Sequence, residues 1–112
     1  MTLYFNKKQK ERILSGKMIK TCRAWKNAQV QVGQIKKAKT NRILPPFAFL
    51  RIKGISEEEL GNVNPKEVGF ESKEDFRETW LDCYPLWDNR QEVWVVRFKV
   101  IENKEENGKE ER

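Results

Sequence analysis

Apolar and polar positions alternate along the chain in short stretches, each of which predicts one element of secondary structure. Residues 2–5 and 19–25 alternate with period two, which predicts strands. Between them, Asn6 is a suitable N-cap and Gly16 a suitable stop for a helix over residues 7–15. The first 25 residues therefore predict a strand, a helix and a second strand.

The middle of the chain predicts further strands and one helical turn. Residues 30–35 are apolar at alternate positions, with Gly33 as an irregular point that suggests a strand pair or a bulge. Residues 47–55 alternate regularly and predict a strand. Ser56 and Glu59 then have the spacing of a capping box, which predicts a short helical turn.

The last third of the chain carries the clearest helix and the clearest strand. Ser72 is a suitable N-cap for a helix over residues 73–83, whose apolar side chains lie three to four residues apart on one face. Residues 92–101 alternate over their whole length and predict a strand buried on one side. Residues 103–112 contain no apolar side chain and predict a charged, disordered tail.

These elements predict an α+β fold. They amount to five or six short strands and two or three helices, and turns rather than regular crossover helices separate the strands. That arrangement favours a small, mostly antiparallel β-barrel with attached helices over a doubly wound sheet. We expect one domain over residues 1–102, followed by the tail over residues 103–112.

Charge is distributed unevenly along the sequence. The 112 residues are 38% hydrophobic and 36% charged, a thermophile-like level of charge, with a net charge of +6. Residues 1–53 contain 14 Lys and Arg against one acid, Glu11, whereas residues 54–112 contain 9 basic and 16 acidic side chains. The basic half either balances the acidic half within the fold or faces a polyanion, of which RNA is the favoured one.

Several classes of chemistry and location are excluded or disfavoured. The chain contains no histidine, so His-based acid–base catalysis and most transition-metal sites are excluded, and we expect neither a metal nor a cofactor. Its two cysteines, Cys22 and Cys83, could form one disulfide, but two reduced thiols are favoured in the cytoplasmic location that we expect. No signal-like or membrane-spanning stretch is present, so no membrane partner is expected.

One segment combines features that suggest a ligand site. Residues 13–23 read as a helix end, a glycine stop and a basic turn that leads into a strand carrying Thr21 and Arg23. Further motifs follow in order at Val32-Gly33-Gln34, at Glu67-Val68-Gly69-Phe70, over residues 72–80 and over residues 93–98. Together these segments resemble the ASCH family, a branch of the PUA-like barrels, over roughly residues 3–101.

The resemblance implies a PUA-like barrel that binds RNA or a nucleotide in a cleft between barrel and helix. Some family members resemble amidohydrolases that act on acylated cytidine through Lys, Thr and Glu, and others are reported as ribonucleases. By position, Thr21 matches the Thr and Glu67 the Glu, whereas the Lys falls on Met18. Methionine is neither a base nor a proton donor, so Thr21 and Glu67 are catalytic candidates only if the protein is an enzyme.

We therefore predict a binding module with a basic cleft, and a monomer. Arg23 is expected to grip phosphate with two N–H groups, and Trp25 to stack a base on the same strand face. The alternatives are a structural salt bridge for Arg23 and core packing for Trp25. The predicted RNA- or nucleotide-binding residues are Lys17, Lys20, Thr21, Arg23, Trp25, Lys26, Lys36, Lys37, Lys39 and Arg42. A nucleoside- or RNA-directed hydrolase and a protein-interaction adaptor are the competing functions.

Overall fold

The computed structural model describes residues 2–103 of the chain. Its elements are β1 (Thr2–Tyr4), α1 (Lys7–Leu14), β2 (Lys20–Arg23), β3 (Ile35–Lys39), β4 (Ala48–Glu59), a 3-10 turn (Leu60–Asn62), α2 (Lys73–Cys83) and β5 (Glu92–Asn103). The predicted α+β class is confirmed, as is the count of five strands with two α-helices among the described residues. No helix in this range is long and apolar enough to cross a membrane.

The five strands form one mixed sheet in the order β1-β3-β4-β5-β2. β1 runs parallel to β3, and the other three pairs are antiparallel. The sheet is open, because the short edge strands β1 and β2 make no backbone pairing with each other in the described residues. The predicted closed barrel is therefore wrong. Instead, Arg23 of β2 donates a hydrogen bond from Nη2 to the carbonyl oxygen of Tyr4 in β1, 2.8 Å away, so a side chain bridges the two edges of the open sheet.

Two local predictions fail, one because of long-range pairing and one because of a turn. The capping-box spacing at Ser56 does not start a helical turn, because residues 56–59 continue β4 and pair with residues 92–95 of β5. The cross-strand hydrogen bonds satisfy the same backbone groups that a helical turn would have used. Residues 30–34 are not a strand: Gly33 has φ +94° in a turn, and β3 begins only at Ile35.

Helix ends follow the predicted local chemistry. The Asn6 side chain accepts a hydrogen bond from the backbone N–H of Gln9, and the Gln9 side chain accepts one from the N–H of Asn6. The Ser72 hydroxyl oxygen accepts from the N–H of Asp75 at the start of α2. At the C-terminus, Asn103 still belongs to β5, and the rest of the predicted tail lies outside the described residues.

Apolar side chains pack on both faces of the sheet. The inner core, which α1 helps to cover, contains Leu3, Phe5, Ile13, Met18, Val30, Ala38, Phe47, Ala48, Leu50, Ile52, Val96 and Phe98. The outer core, which contains residues of α2, consists of Leu60, Val63, Val68, Phe70, Phe76, Trp80, Val93 and Val95. Successive residues of a strand point to opposite faces, so β5 contributes Val93 and Val95 to one core and Val96 and Phe98 to the other. α2 therefore covers only part of the outer face.

Candidate functional site

A cleft of about 370 Å³ lies where β1, the start of α1, β2 and α2 come together. Thr21 and Arg23 line it from β2, and Tyr4 lines it from β1. On the opposite side it is lined by residues of α2 and its C-terminal end, Phe76, Thr79, Trp80, Cys83 and Tyr84. The volume falls within the range of small-ligand pockets.

Arg23 is the one described residue lining the cleft that carries a formal charge at neutral pH. Its Nε donates to Thr21 Oγ1 at 3.1 Å, and its Nη2 donates to the Tyr4 carbonyl oxygen at 2.8 Å. The guanidinium lies 5.0 Å from the centre of the Phe5 ring. These partners are all neutral, and no carboxylate pairs with Arg23 among the described residues. The predicted alternative, a structural salt bridge, is not observed.

Burial also makes Arg23 a poorly solvated cation. Desolvation lowers the pKa of Arg23, and the nearby Tyr84, Cys22 and Cys83 offset this only in part. A guanidinium carries five N–H donors, and the hydrogen bonds to Thr21 and Tyr4 leave further donors for a ligand. An anion in the cleft would therefore meet a rigidly held fork that lacks a counter-charge.

Aromatic rings form the apolar walls of the cleft. Phe70 and Phe76 stack with their centroids 4.9 Å apart, and Trp80 and Tyr84 are 4.4 Å apart. Phe70, Phe76 and Trp80 are buried, whereas Tyr84 is half-buried and Tyr4 is 44% exposed. Both tyrosines line the cleft with Arg23 and keep part of their surface accessible to a ligand.

Two other predicted site residues do not line this cleft. Trp25 is half-buried and packs against the inner core, which agrees with the alternative prediction of core packing. The Glu67 carboxylate forms an ion pair with Lys20, with Oε2 2.8 Å from Nζ. Lys20 lines a separate depression on the other side of β2 with Arg97 and Gly54. The structure therefore does not place Glu67 in the cleft with Thr21.

The predicted lysines do not line the cleft either. Lys17, Lys26, Lys37 and Arg42 are exposed elsewhere, and Lys39 donates from Nζ to the Arg42 carbonyl oxygen at 3.0 Å. Lys36 points to the inner side of β3 and is only 9% exposed. The structure thus gives no support to a basic cleft, since a single cation and aromatic walls define it.

Met18, at the position where the resemblance implies a lysine, is a core residue with 1% exposure. It lies against Gly69, which has φ +92°, and a Cβ placed on Gly69 would come within 2.5 Å of Met18 Sδ. The Thr21 hydroxyl already accepts a hydrogen bond from Arg23, and Glu67 is held by Lys20. These three positions consequently form no Lys–Thr–Glu constellation.

Replacing Gly69 with alanine is expected to destabilise the fold by about 2–4 kcal/mol. The positive φ costs about 1 kcal/mol for any residue with a Cβ, and the overlap with the enclosed Met18 adds a packing cost of about 1–3 kcal/mol. Gly16→Ala is the matched control, because Gly16 has φ +80° but a Cβ added there would meet no neighbouring atom within 4 Å. Urea unfolding of both variants measures the difference, and equal losses would contradict the Met18 packing.

Two thiols line the cleft, and they differ in exposure. Burial, the largest effect, raises the pKa of Cys22 to about 12, although the neighbouring Arg23 partly opposes it. Cys22 is half-buried and Cys83 is exposed, and both are free. Because the thiolate is the reactive form, Cys22 stays inert near neutral pH, and Cys83 is the accessible probe of the cleft.

Sequence reasoning missed Tyr4, Cys83, Tyr84 and Thr79 as lining residues. The available signal was weak: Tyr84 immediately precedes the Pro85 that follows α2, and Tyr4 alternates with Leu3 and Phe5. Among the residues that the structure describes, no cluster of Cys, Asp or Glu is arranged to hold a metal ion.

Solved structures with the same fold include an ASCH domain. The crystal structure of the ASCH domain from Lactobacillus crispatus JV V101 has a TM-score of 0.62 at 17% identity, over 88% of this chain and 77% of that one. A DUF984 protein from Enterococcus faecalis V583 has a TM-score of 0.64 at 17% identity, over 89% of this chain and 71% of that one. No family model and no curated protein matches the sequence. The fold is therefore ASCH-like, as the sequence motifs predicted.

Proposed function

We propose that the protein binds RNA or a nucleotide, with one phosphate on Arg23 and the attached base against Tyr4 or Tyr84. The observation that carries this proposal is the half-buried guanidinium whose hydrogen-bond acceptors are a hydroxyl and a carbonyl. A cation removed from water without a counter-charge is unfavourable. A bound phosphate would supply that counter-charge and accept two N–H groups at once.

The aromatic side of the cleft supports a ligand that combines an anion with a planar ring. Free phosphate would use Arg23 but leave the tyrosine surfaces uncovered. A nucleotide uses both, because each stacked base contributes about 1–3 kcal/mol. An apolar ligand without charge would leave Arg23 unpaired.

Hydrolysis receives less support from the geometry than binding. A Thr nucleophile needs a base that removes its proton. The neighbouring group that contacts the Thr21 hydroxyl is Arg23, which donates to it and is protonated at neutral pH. Thr21 therefore acts in this proposal as the side chain that orients Arg23.

A thiol-protection experiment localises the ligand. We expect a thiol reagent such as 5,5′-dithiobis(2-nitrobenzoate) to modify Cys83 rapidly and Cys22 slowly at pH 8, because the pKa of Cys22 is about 12. Saturating nucleotide or short single-stranded RNA is expected to slow modification of Cys83 at least about tenfold, since a ligand in the cleft blocks access. Absorbance of the released thiolate follows the reaction.

A cysteine variant is the control for the thiol-protection experiment. Cys83→Ser should remove the fast phase, which identifies the modified thiol, and fluorescence anisotropy of the wild-type protein measures nucleotide binding separately. Nucleotide binding without any protection of Cys83 would place the ligand elsewhere. Absence of binding to both nucleotides and RNA at low salt would contradict the proposed function.

A further inference from the structure

The part of the outer sheet face that α2 leaves uncovered carries a row of cations. We name Lys37 of β3, Arg51 and Lys53 of β4, and Arg97 and Lys99 of β5 the cationic sheet face. All five side chains are exposed. Their neighbours along each strand, such as Leu50, Ile52 and Phe98, point into the inner core, so strand alternation fixes four of the five cations. The fifth, Lys53, lies at the β-bulge between Ile52 and Gly54, where its carbonyl oxygen accepts a hydrogen bond from Arg97.

None of these five side chains forms an ion pair within the part of the chain that the structure describes. Arg51 donates from Nη1 to the Gly33 carbonyl oxygen at 3.3 Å, and Arg97 donates from Nη2 to the Lys53 carbonyl oxygen at 3.5 Å. Both acceptors are neutral. Within residues 2–101, the acidic side chains of the second half therefore do not neutralise this face through direct contact.

The strand register places like charges directly opposite each other. Arg51 of β4 pairs with Lys99 of β5, and Lys20 of β2 pairs with Arg97. Lys20 is neutralised by Glu67, but no acid among the described side chains pairs with Arg51 or Lys99. Like charges at directly opposed positions destabilise a sheet, so this arrangement is unfavourable for the isolated fold and points to an external anion.

We infer that the cationic sheet face binds the phosphate backbone of an RNA strand, as a second contact surface separate from the cleft. Adjacent strands are about 4.8 Å apart and alternate residues along one strand about 6.6 Å apart. Lys37, Arg51, Arg97 and Lys99 thus lie at spacings that successive phosphates of a flexible strand can follow, and Lys53 at the bulge adds a fifth cation beside Arg97. The choice of RNA among polyanions rests on the proposed function, whereas the face itself does not depend on the cleft.

The composition of the face disfavours other partners. Lysine is depleted at the centres of protein–protein interfaces, which need apolar anchors, yet lysine supplies three of these five cations. Membrane-surface binding through charge alone is weak without an inserted apolar face or a lipid anchor. Phosphate contacts, in contrast, require little more than exposed Lys and Arg at suitable spacing.

The salt dependence of RNA binding tests the inference. For single-stranded nucleic acid, the slope of log K against log salt changes by about 0.7 for each phosphate contact. The variant Arg51→Gln/Lys53→Gln/Lys99→Gln is therefore expected to bind a labelled single-stranded RNA with a slope shallower by about 2. An unchanged slope would overturn the inference.

A charge reversal separates binding from folding. Lys99→Glu should raise the melting temperature, because it replaces the repulsion with Arg51 by an attraction, and should weaken RNA binding at least about tenfold. Lys73→Glu is the matched control, since it makes the same charge change at an exposed position outside both the face and the cleft and should leave affinity nearly unchanged. Equal losses in the two variants would mean that net charge alone matters, and the inference would be wrong.

The cleft proposal and the inference about the cationic sheet face can be disproved independently of each other. If the triple variant keeps the wild-type slope while nucleotide still protects Cys83, the face inference falls and the proposed function stands. If the slope becomes shallower but nucleotide gives no protection, the cleft proposal falls and the face remains. Stronger binding to anionic phospholipid vesicles or polyglutamate than to RNA would assign the face to another partner.

Discussion

Arg23→Lys is expected to weaken nucleotide binding by about 10- to 100-fold. A lysine keeps the charge but presents one ammonium, which cannot hold Thr21 Oγ1, the Tyr4 carbonyl oxygen and a phosphate in the geometry of the guanidinium fork. Losing one charge-assisted hydrogen bond costs about 1.5–3 kcal/mol, which corresponds to that range. Anisotropy titration and Cys83 protection both measure this loss of nucleotide affinity.

Arg77→Lys is the matched control for this substitution. Arg77 is an exposed residue of α2 that lies outside the cleft, so the same chemical change should leave nucleotide affinity within a factor of about two. Circular dichroism and urea unfolding establish that both variants are folded. Wild-type affinity in folded Arg23→Lys would exclude a phosphate contact at Arg23.

Met18→Lys is expected to destabilise the fold by at least about 3 kcal/mol at neutral pH. The side chain at this position is 1% exposed and enclosed by the inner core and Gly69, so an ammonium here loses its hydration. Met18→Leu, which is similar in volume, should cost less than about 1.5 kcal/mol. Urea unfolding of the two variants provides the comparison.

The pH dependence of Met18→Lys gives an independent check. Burial would lower the pKa of the new lysine in the folded state relative to the unfolded state. At pH values between these two pKa values, the unfolded chain therefore binds one more proton than the folded protein. The deficit in stability is therefore complete at low pH and shrinks as pH rises towards the unfolded-state pKa of about 10.4. A pH-independent deficit would show that the ammonium reaches solvent.

The parts of the fold that depend on local chemistry were predictable. Asn6 and Ser72 start helices because their side chains satisfy nearby backbone N–H groups, and neither needs a distant partner. Ser56 has the same local signal, but residues 56–59 find partners in β5, some 36 residues further along the chain. A capping box is weaker than a ladder of cross-strand hydrogen bonds, and the sequence alone does not reveal the register.

The sequence predicted which residues of β2 share a face, but not which residues of other elements meet them in the cleft. Period-two alternation correctly put Thr21 and Arg23 on one face, and both line the cleft. The same alternation holds for Trp25, which packs against the inner core whereas Cys22 and Ala24 pack against the outer core. It did not predict that Trp25 lies outside the cleft. Tyr4 and Tyr84 meet Arg23 only through the strand order and the packing of α2, which no local pattern encodes.

The hydrogen bond from Arg23 to the Tyr4 carbonyl oxygen joins the two edges of an open sheet with a side chain instead of a backbone ladder. A backbone ladder does not depend on what occupies a neighbouring cleft, but this link would share its guanidinium with the proposed phosphate. In the proposed complex, a phosphate that fixes Arg23 would also restrain the link between β1 and β2, so ligand occupancy and the spacing of the two sheet edges would be coupled. By thermodynamic reciprocity, any strain that parts the two edges lowers the affinity of the cleft.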